Sequence, residues 1–326
     1  MNTRRSLTHL ACALGLLAAA APASAQGSYP DHPVKVIVAL PAGGGVDMIA
    51  RVVGQKLQVA TGQPFVVDNR AGASGRIGLP VVAKAPADGY TLMASPASFL
   101  TTNKAIFKEM PYDPQADFMP ITKLANQAMV LVVRDKQEFA TAGAVLAAAK
   151  ASPGTLTYAT SGDGSPQHLA ALMFETRAQV RMTHIPYKGG ALAINDVLGG
   201  QVDLLFAPLP EALPHIKAGK LTALALMSDK RTPLIADVPT MREAGIPNMV
   251  MQTWIGLLAP AKTPRPIIDQ LNRQVHAILQ NEEVKNQLLQ SGMDVAPTTP
   301  EQFAQVIAEE IALHAELVKA SGLVPQ

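Results

Sequence analysis

Twice in this chain a short apolar run meets a glycine-rich turn and then a helix start, and no other feature restricts the fold as strongly. Residues 34–40 (VKVIVAL) read as a buried β-strand. Pro41-Ala42-Gly43-Gly44-Gly45 turns the chain, and Val46, Ile49, Ala50, Val53 and Leu57 then recur at spacings of three or four, the apolar face of a helix. The second unit has a strand at 155–159 and the turn Thr160-Ser161-Gly162-Asp163-Gly164. Ser165-Pro166 follows, an N-cap and a first helical residue. Strands at 64–67, 91–94, 202–206, 221–227 and 250–258 alternate with helices at 191–198, 210–218, 266–279, 282–289 and 300–319. Such alternation predicts mostly parallel sheets flanked by helices, an α/β fold. Two units of one design predict two lobes, residues 26–124 plus 252–326 in one and 125–251 in the other. The chain would cross between them near 121–127 and 249–253.

The first 25 residues stand apart from this pattern. Arg4 and Arg5 precede a mostly apolar stretch, and Ala23-Ser24-Ala25 has the small-x-small spacing of a cleavage site. That stretch is short for a membrane span, which needs roughly 20 residues. It predicts a signal peptide removed near Ala25 and a mature protein in the periplasm. Without Arg4 and Arg5, the 27 Lys and Arg are brought level with the 25 Asp and Glu. A neutral chain lacks the basic footprint of a nucleic-acid or anionic-lipid binder. The single cysteine, Cys12, lies in the leader. The mature chain is therefore free of thiols, which suits an oxidising compartment and excludes a zinc site built from cysteines.

The turns suggest the chemistry. N–H groups at a helix start lack internal partners and carry partial positive charge, so they favour an anion. Gly43, Gly44 and Gly45 allow a ligand close to the backbone, and Asp47 sits in the first helical turn. In the second turn Ser161, Gly164, Ser165 and His168 gather donors at one helix start. A plain βα turn with a capping Asp explains the first loop equally well, and a structural histidine explains His168. Catalytic patterns are missing: the sequence contains no G-x-S-x-G, no H-E-x-x-H and no G-x-x-x-x-G-K-[ST]. We expect no enzyme, no cofactor and no metal.

The residues around these turns carry a resemblance. Pro41-Ala42-Gly43-Gly44-Gly45-Val46-Asp47, Val67-Asp68-Asn69-Arg70-Ala71-Gly72-Ala73-Ser74-Gly75 and Ala85-Pro86-Ala87-Asp88-Gly89-Tyr90 occur in order. Tyr158-Ala159-Thr160-Ser161-Gly162-Asp163-Gly164-Ser165, His184-Ile185-Pro186-Tyr187-Lys188-Gly189-Gly190 and Asp237-Val238-Pro239-Thr240 follow. Together they resemble the Bug family, the periplasmic receptors of tripartite tricarboxylate transporters. The resemblance implies a two-lobed "Venus flytrap", the periplasmic-binding-protein fold, closing on a small carboxylate and delivering it to inner-membrane permease subunits. A ligand-sensing component of a signalling system would use the same cleft. Carried over, the ligand-binding residues are Gly43, Gly44, Gly45 and Asp47 in the first loop and Ser161, Gly164, Ser165 and His168 in the second. Tyr187 and Lys188 would border the cleft, and Ser95 and Ser98 would face the ligand's far end. Ala207 stands where many relatives carry a polar or acidic residue. This departure predicts a mono- or dicarboxylate without an ammonium group. No nucleic acid is expected as a partner, and the protein is expected to be a monomer.

Overall fold

Apolar runs too short to span a helical core pair side by side here and build one curled sheet covered by helices. The computed structural model describes residues 29–134, 139–321 and 323, so the expected leader lies outside the described residues. His32 onward forms one unit. Its elements begin β1 (Val34–Val38), α1 (Gly45–Thr61), β2 (Phe65–Asn69), α2 (Leu79–Ala83), β3 (Thr91–Pro96), α3 (Ala97–Thr101) and α4 (Asn103–Ile106). Then come β4 (Phe118–Val133), α5 (Ala142–Ala151), β5 (Thr157–Thr160), α6 (Pro166–Ala178), β6 (Thr183–Pro186), α7 (Gly190–Leu198), β7 (Leu204–Pro208) and α8 (Leu209–Lys217). The chain closes with β8 (Thr222–Leu226), β9 (Gln252–Pro260), α9 (Arg265–Gln280), α10 (Glu282–Gln290), β10 (Met293–Val295) and α11 (Pro300–Ser321).

The strand order is β2-β1-β3-β9-β4-β7-β5-β6, with β8 and β10 also on β4. Each half has a parallel trio: β1 with β2 and β3, and β5 with β6 and β7. The strands that join the halves run antiparallel to their neighbours. β4 makes the join. Through Ala128 it pairs with β9, and from Met129 it pairs with β7 and β8. Its second half, Met129 to Val133, is buried throughout, as expected where both faces of a sheet are covered.

β7 shows the covering directly. Leu204 and Phe206 enter a core with Met129, Leu131, Tyr158 and Phe174, while Leu205 and Ala207 enter another with Val130, Val132 and Leu213. That alternation is the period-two pleat of a strand with helices on both sides. The first half has its own core of Ile37, Leu79, Met93, Leu100, Trp254 and Phe303. Each such side chain, fully buried, contributes about 1.5–3 kcal/mol of transfer free energy. Helix α11 reaches both halves: Phe303 and Ile307 belong to the first core, and Val318 packs in the second. Among the described residues no helix is long and apolar enough to cross a membrane.

Candidate functional site

The first loop is held open by its own aspartate. Gly43 N–H donates to Asp47 Oδ2 at 2.9 Å, Asn69 Nδ2 donates to Oδ1 at 3.0 Å, and Arg51 Nε donates to both oxygens at 3.1 and 3.0 Å. Burial works against the charge on Asp47, but Arg51, Gly43 and Asn69 outweigh it and hold the carboxyl below its ordinary range. Asp47 therefore spends its acceptors on the loop. Gly44 caps α1 without any side-chain bond, which leaves the first-turn N–H groups without a side-chain acceptor.

The second loop is braced in a similar way. Ser165 Oγ accepts from His168 N–H at 3.3 Å, and Gly164 N–H donates to His168 Nδ1 at 3.2 Å. Gly164 has φ 73°, a left-handed conformation that a glycine adopts without steric cost. The His168 ring is buried and stacks on His184 at 4.1 Å, and His184 stacks on Tyr158 at 5.0 Å. Burial, helped by His184, pushes His168 down to about 3, so its imidazole is neutral. His184 is lowered by burial, with Asp163 opposing. Asp163, His168 and His184 lie close enough to suggest a metal triad. The two rings are only 15° from parallel, however, so their in-plane lone pairs run side by side instead of converging. His168 Nδ1 is also already engaged by Gly164.

The second loop is met by the segment after β2 and by α4. Ser74 Oγ donates to the Asp163 carbonyl at 3.1 Å, and Asn103 Nδ2 donates to the Ser74 carbonyl at 2.8 Å. A Cβ on Gly45 would lie 2.7 Å from Gln127 Nε2 on β4, which would have to shift, while Pro210 Cβ on α8 at 3.7 Å would be in ordinary contact. Among the described residues four buried side-chain oxygens have no hydrogen-bond partner: Ser98 Oγ on α3, Asn103 Oδ1 on α4, Thr253 Oγ1 on β9 and Gln274 Oε1 on α9. Asn103 Oδ1 lies 3.2 Å from where a Cβ on Gly164 would be. Buried polar atoms are rarely left unpaired; the Ser98 and Thr253 hydroxyls can donate to an anion, whereas Asn103 Oδ1 can only accept.

The other expected residues are placed differently. Ser95 is fully buried and donates to the Pro96 carbonyl at 3.1 Å. Tyr187 turns its hydroxyl to Asp196 Oδ2 at 2.6 Å, so it braces α7, and Lys188 is exposed. Ala207 packs wholly in the apolar core beside Leu205. A hollow of about 540 Å³, lined by Lys150, Arg177, Pro247 and Met249 among others, contains none of the expected residues.

Two polar residues, Gln127 and Glu211, escape the sequence reading, which takes Gln167 only as a polar group in the first turn of its helix. Gln127 on β4 faces Gly45. Gln167 is buried at the start of α6, accepts from Ser161 Oγ at 2.9 Å and donates through Nε2 to Glu211 Oε2 at 3.1 Å. Glu211, in the first turn of α8, has its carboxylate against Gly190 at the start of α7. Burial pushes its carboxyl up to about 7, with the Gln167 bond opposing. An acid in the first turn of a helix reads from sequence as an ordinary dipole partner, and nothing local shows that three helix starts meet on it.

Against this geometry the comparisons are consistent. Residues 49–323 match the family model described as tripartite tricarboxylate transporter family receptor. Protein BugT of Bordetella pertussis is 38% identical over 323 residues, covering 99% of each chain. Among solved structures, R. palustris Rpa4515 with adipate superposes with a TM-score of 0.88 at 34% identity, covering 91% of this chain and 100% of that one. MatC from Rhodopseudomonas palustris with bound malate gives a TM-score of 0.82 at 30% identity, covering 89% of this chain and 100% of that one.

Proposed function

The chain belongs to the tripartite tricarboxylate transporter receptor family, and from that premise we propose that it captures a small carboxylate between its lobes and passes it to inner-membrane permease subunits. It is a substrate-binding receptor and not an enzyme. The observation that carries the ligand reading is the pair of glycine-bearing helix starts, one at Gly44-Gly45 with no side-chain cap and one at Gly164-Ser165, together with the unpartnered buried hydroxyls of Ser98 and Thr253. Neutral N–H and hydroxyl donors hold an anion without a permanently paired buried cation, which favours release as well as capture. Adipate and malate in the relatives support a mono- or dicarboxylate here.

Residues 26–124 with 252–326 form the first lobe in this reading and 125–251 the second. The change of partners along β4 between Ala128 and Met129 supports a boundary near there. The ligand contacts are the first-turn N–H groups after Gly43, Gly44 and Gly45, and Ser161, Ser165 and Ser98 on the facing elements. Asp47 and His168 act behind them by holding the loops. The leader places the mature monomer in the periplasm.

A thermal-shift screen followed by calorimetry with succinate, adipate, benzoate, terephthalate and aspartate tests the proposal. A true ligand at a hundred times its Kd adds about 2.7 kcal/mol of stability. Aspartate binding more tightly than every other acid would overturn the ligand class, and no shift with any acid would overturn the binding reading.

A further inference from the structure

We infer that a carboxylate ligand binds together with a proton on Glu211, so that Glu211 enters the bound state as the neutral acid and capture weakens as pH rises above neutrality. The inference rests on the carboxylate-binding reading above and adds a regulation of that site.

The geometry carries it. Glu211 lies in the first turn of α8, Gln167 in the first turn of α6 and Gly190 at the first residue of α7. The Gln167 amide fixes Oε2 at 3.1 Å, and the same oxygen lies against Gly190. Gln167 is tied in turn to Ser161, one of the expected ligand donors. The residue before Glu211, Pro210, sits against Gly45 of the first loop. The Glu211 carboxyl thus lies among the second-lobe helix starts, one residue from the proline that adjoins Gly45 of the first lobe, close to where an anion gripped by those N–H groups would sit. Two carboxylates sharing one desolvated space do not both ionise, and the pair keeps a proton.

Nothing nearby supplies a countercharge. Among the described ion pairs none involves Glu211. On its own helix His215 and Lys217 lie toward the far end. From α6 the titratable neighbour is His168, held neutral by burial. From α7 and its lead-in come Asp196, already accepting from Tyr187, and exposed Lys188. β7 is preceded by Asp203, which accepts from Thr157. β4 carries Lys123, whose charge works on Glu310. The acid's position near neutrality in the free protein follows from burial, and a bound anion moves it further up. Proton uptake therefore occurs above the free value and fades below it, so affinity is level on the acid side of about pH 7 and falls by at most tenfold per pH unit on the alkaline side.

The test is isothermal calorimetry of the mature chain with adipate between about pH 6 and pH 8.5, each point in two buffers of different ionisation heat. The expected result is a buffer-dependent heat equivalent to one proton taken up near the alkaline end, a Kd rising with pH, and a Glu211→Gln variant whose Kd varies less than about twofold over the range. A flat wild-type Kd with no proton taken up overturns the inference, even where the variant fails to fold. So does a variant that keeps the slope, or one that folds normally yet loses adipate at pH 6, since the last result would make Glu211 an anionic contact. If no carboxylate binds the wild type at pH 6, the reading beneath it fails first, and that outcome is distinct from binding without a slope.

Discussion

Removing the Asp47 carboxylate separates a loop anchor from a ligand contact. In Asp47→Ala the Gly43 N–H, the Asn69 amide and the Arg51 guanidinium lose one shared acceptor. A hydrogen bond to a charged acceptor contributes about 1.5–3 kcal/mol when buried, but the three donors are not equally buried. Arg51 is 52% exposed and its pair behaves as a surface ion pair, which contributes about 0.2–1 kcal/mol. Asn69 keeps its bond to the Leu40 carbonyl at 3.1 Å, and Gly43 is exposed and can turn to water. The net loss comes to about 2–3 kcal/mol, with Asn, which keeps one oxygen, costing about half. In a chain of this length each kcal/mol moves the melting midpoint by roughly 2 °C, so calorimetry without ligand should show a fall of about 4–6 °C for Ala. The sign with pH follows from the depressed carboxyl: its stabilisation is complete above the ordinary value of 3.8 and is lost as pH falls through the lower folded value. Asp47→Asn should therefore flatten the acid limb of the stability curve below about pH 4. An unliganded midpoint that stays within about 1 °C of wild type while adipate binding disappears would refute the anchor argument, because only a direct contact behaves that way.

Two further outcomes follow from the join between the halves. A methyl at Gly256 would meet the Phe303 ring and come within 3.1 Å of Trp254 Cζ3, so Gly256→Ala should cost about 1–3 kcal/mol in urea unfolding and Phe303→Leu should restore part of it; no loss would mean that the ring has room to move. Glu310 accepts from Trp254 Nε1 at 2.8 and 2.9 Å, and burial pushes it up to about 7 against the pull of Trp254 and Lys123. A raised carboxyl means that the native state holds a proton the unfolded chain has released, so stability falls as pH rises from about 4.5 to about 7, by at most about 3 kcal/mol. Glu310→Gln should reduce that fall, and urea unfolding at pH 5 and pH 8 giving equal differences in both proteins would contradict it.

The two strand–turn–helix units were legible because each carries its signals locally: an apolar run, glycines where the chain turns, and Ser165-Pro166 at a helix start. The join was not. The first half of β4 mixes Pro120, Lys123, Asn126 and Gln127 with apolar residues, so its periodicity is blurred, and its exchange of partners after Ala128 is a long-range event. β6 was missed because four residues, Thr183–Pro186, carry too little pattern. The same division holds for the site. Glycines and hydroxyls at helix starts can be read in order along the chain, whereas Gln127, Gln167 and Glu211 matter only because separate elements bring them together. Tyr187 shows the converse: a polar residue beside a turn can still spend its hydroxyl on its own helix.

These placements bear on how a receptor of neutral donors gains affinity. Asp47 fixes the Gly43 turn, and Ser165 with His168 fixes the Gly164 turn, so both cradles are set by bonds internal to each lobe. A ligand then meets little ordering cost within either loop. Around the cradles the described contacts include Ser74 Oγ with the Asp163 carbonyl and Gly45 beside Pro210. In the proposed reading a ligand favours the arrangement in which it touches both sides. Leaving Ser98, Asn103 and Thr253 unpaired costs about 1–3 kcal/mol each. On the same reading an acid whose oxygens accept from the Ser98 and Thr253 hydroxyls recovers part of that cost only when it touches both sides, and that difference between states would couple capture to closure.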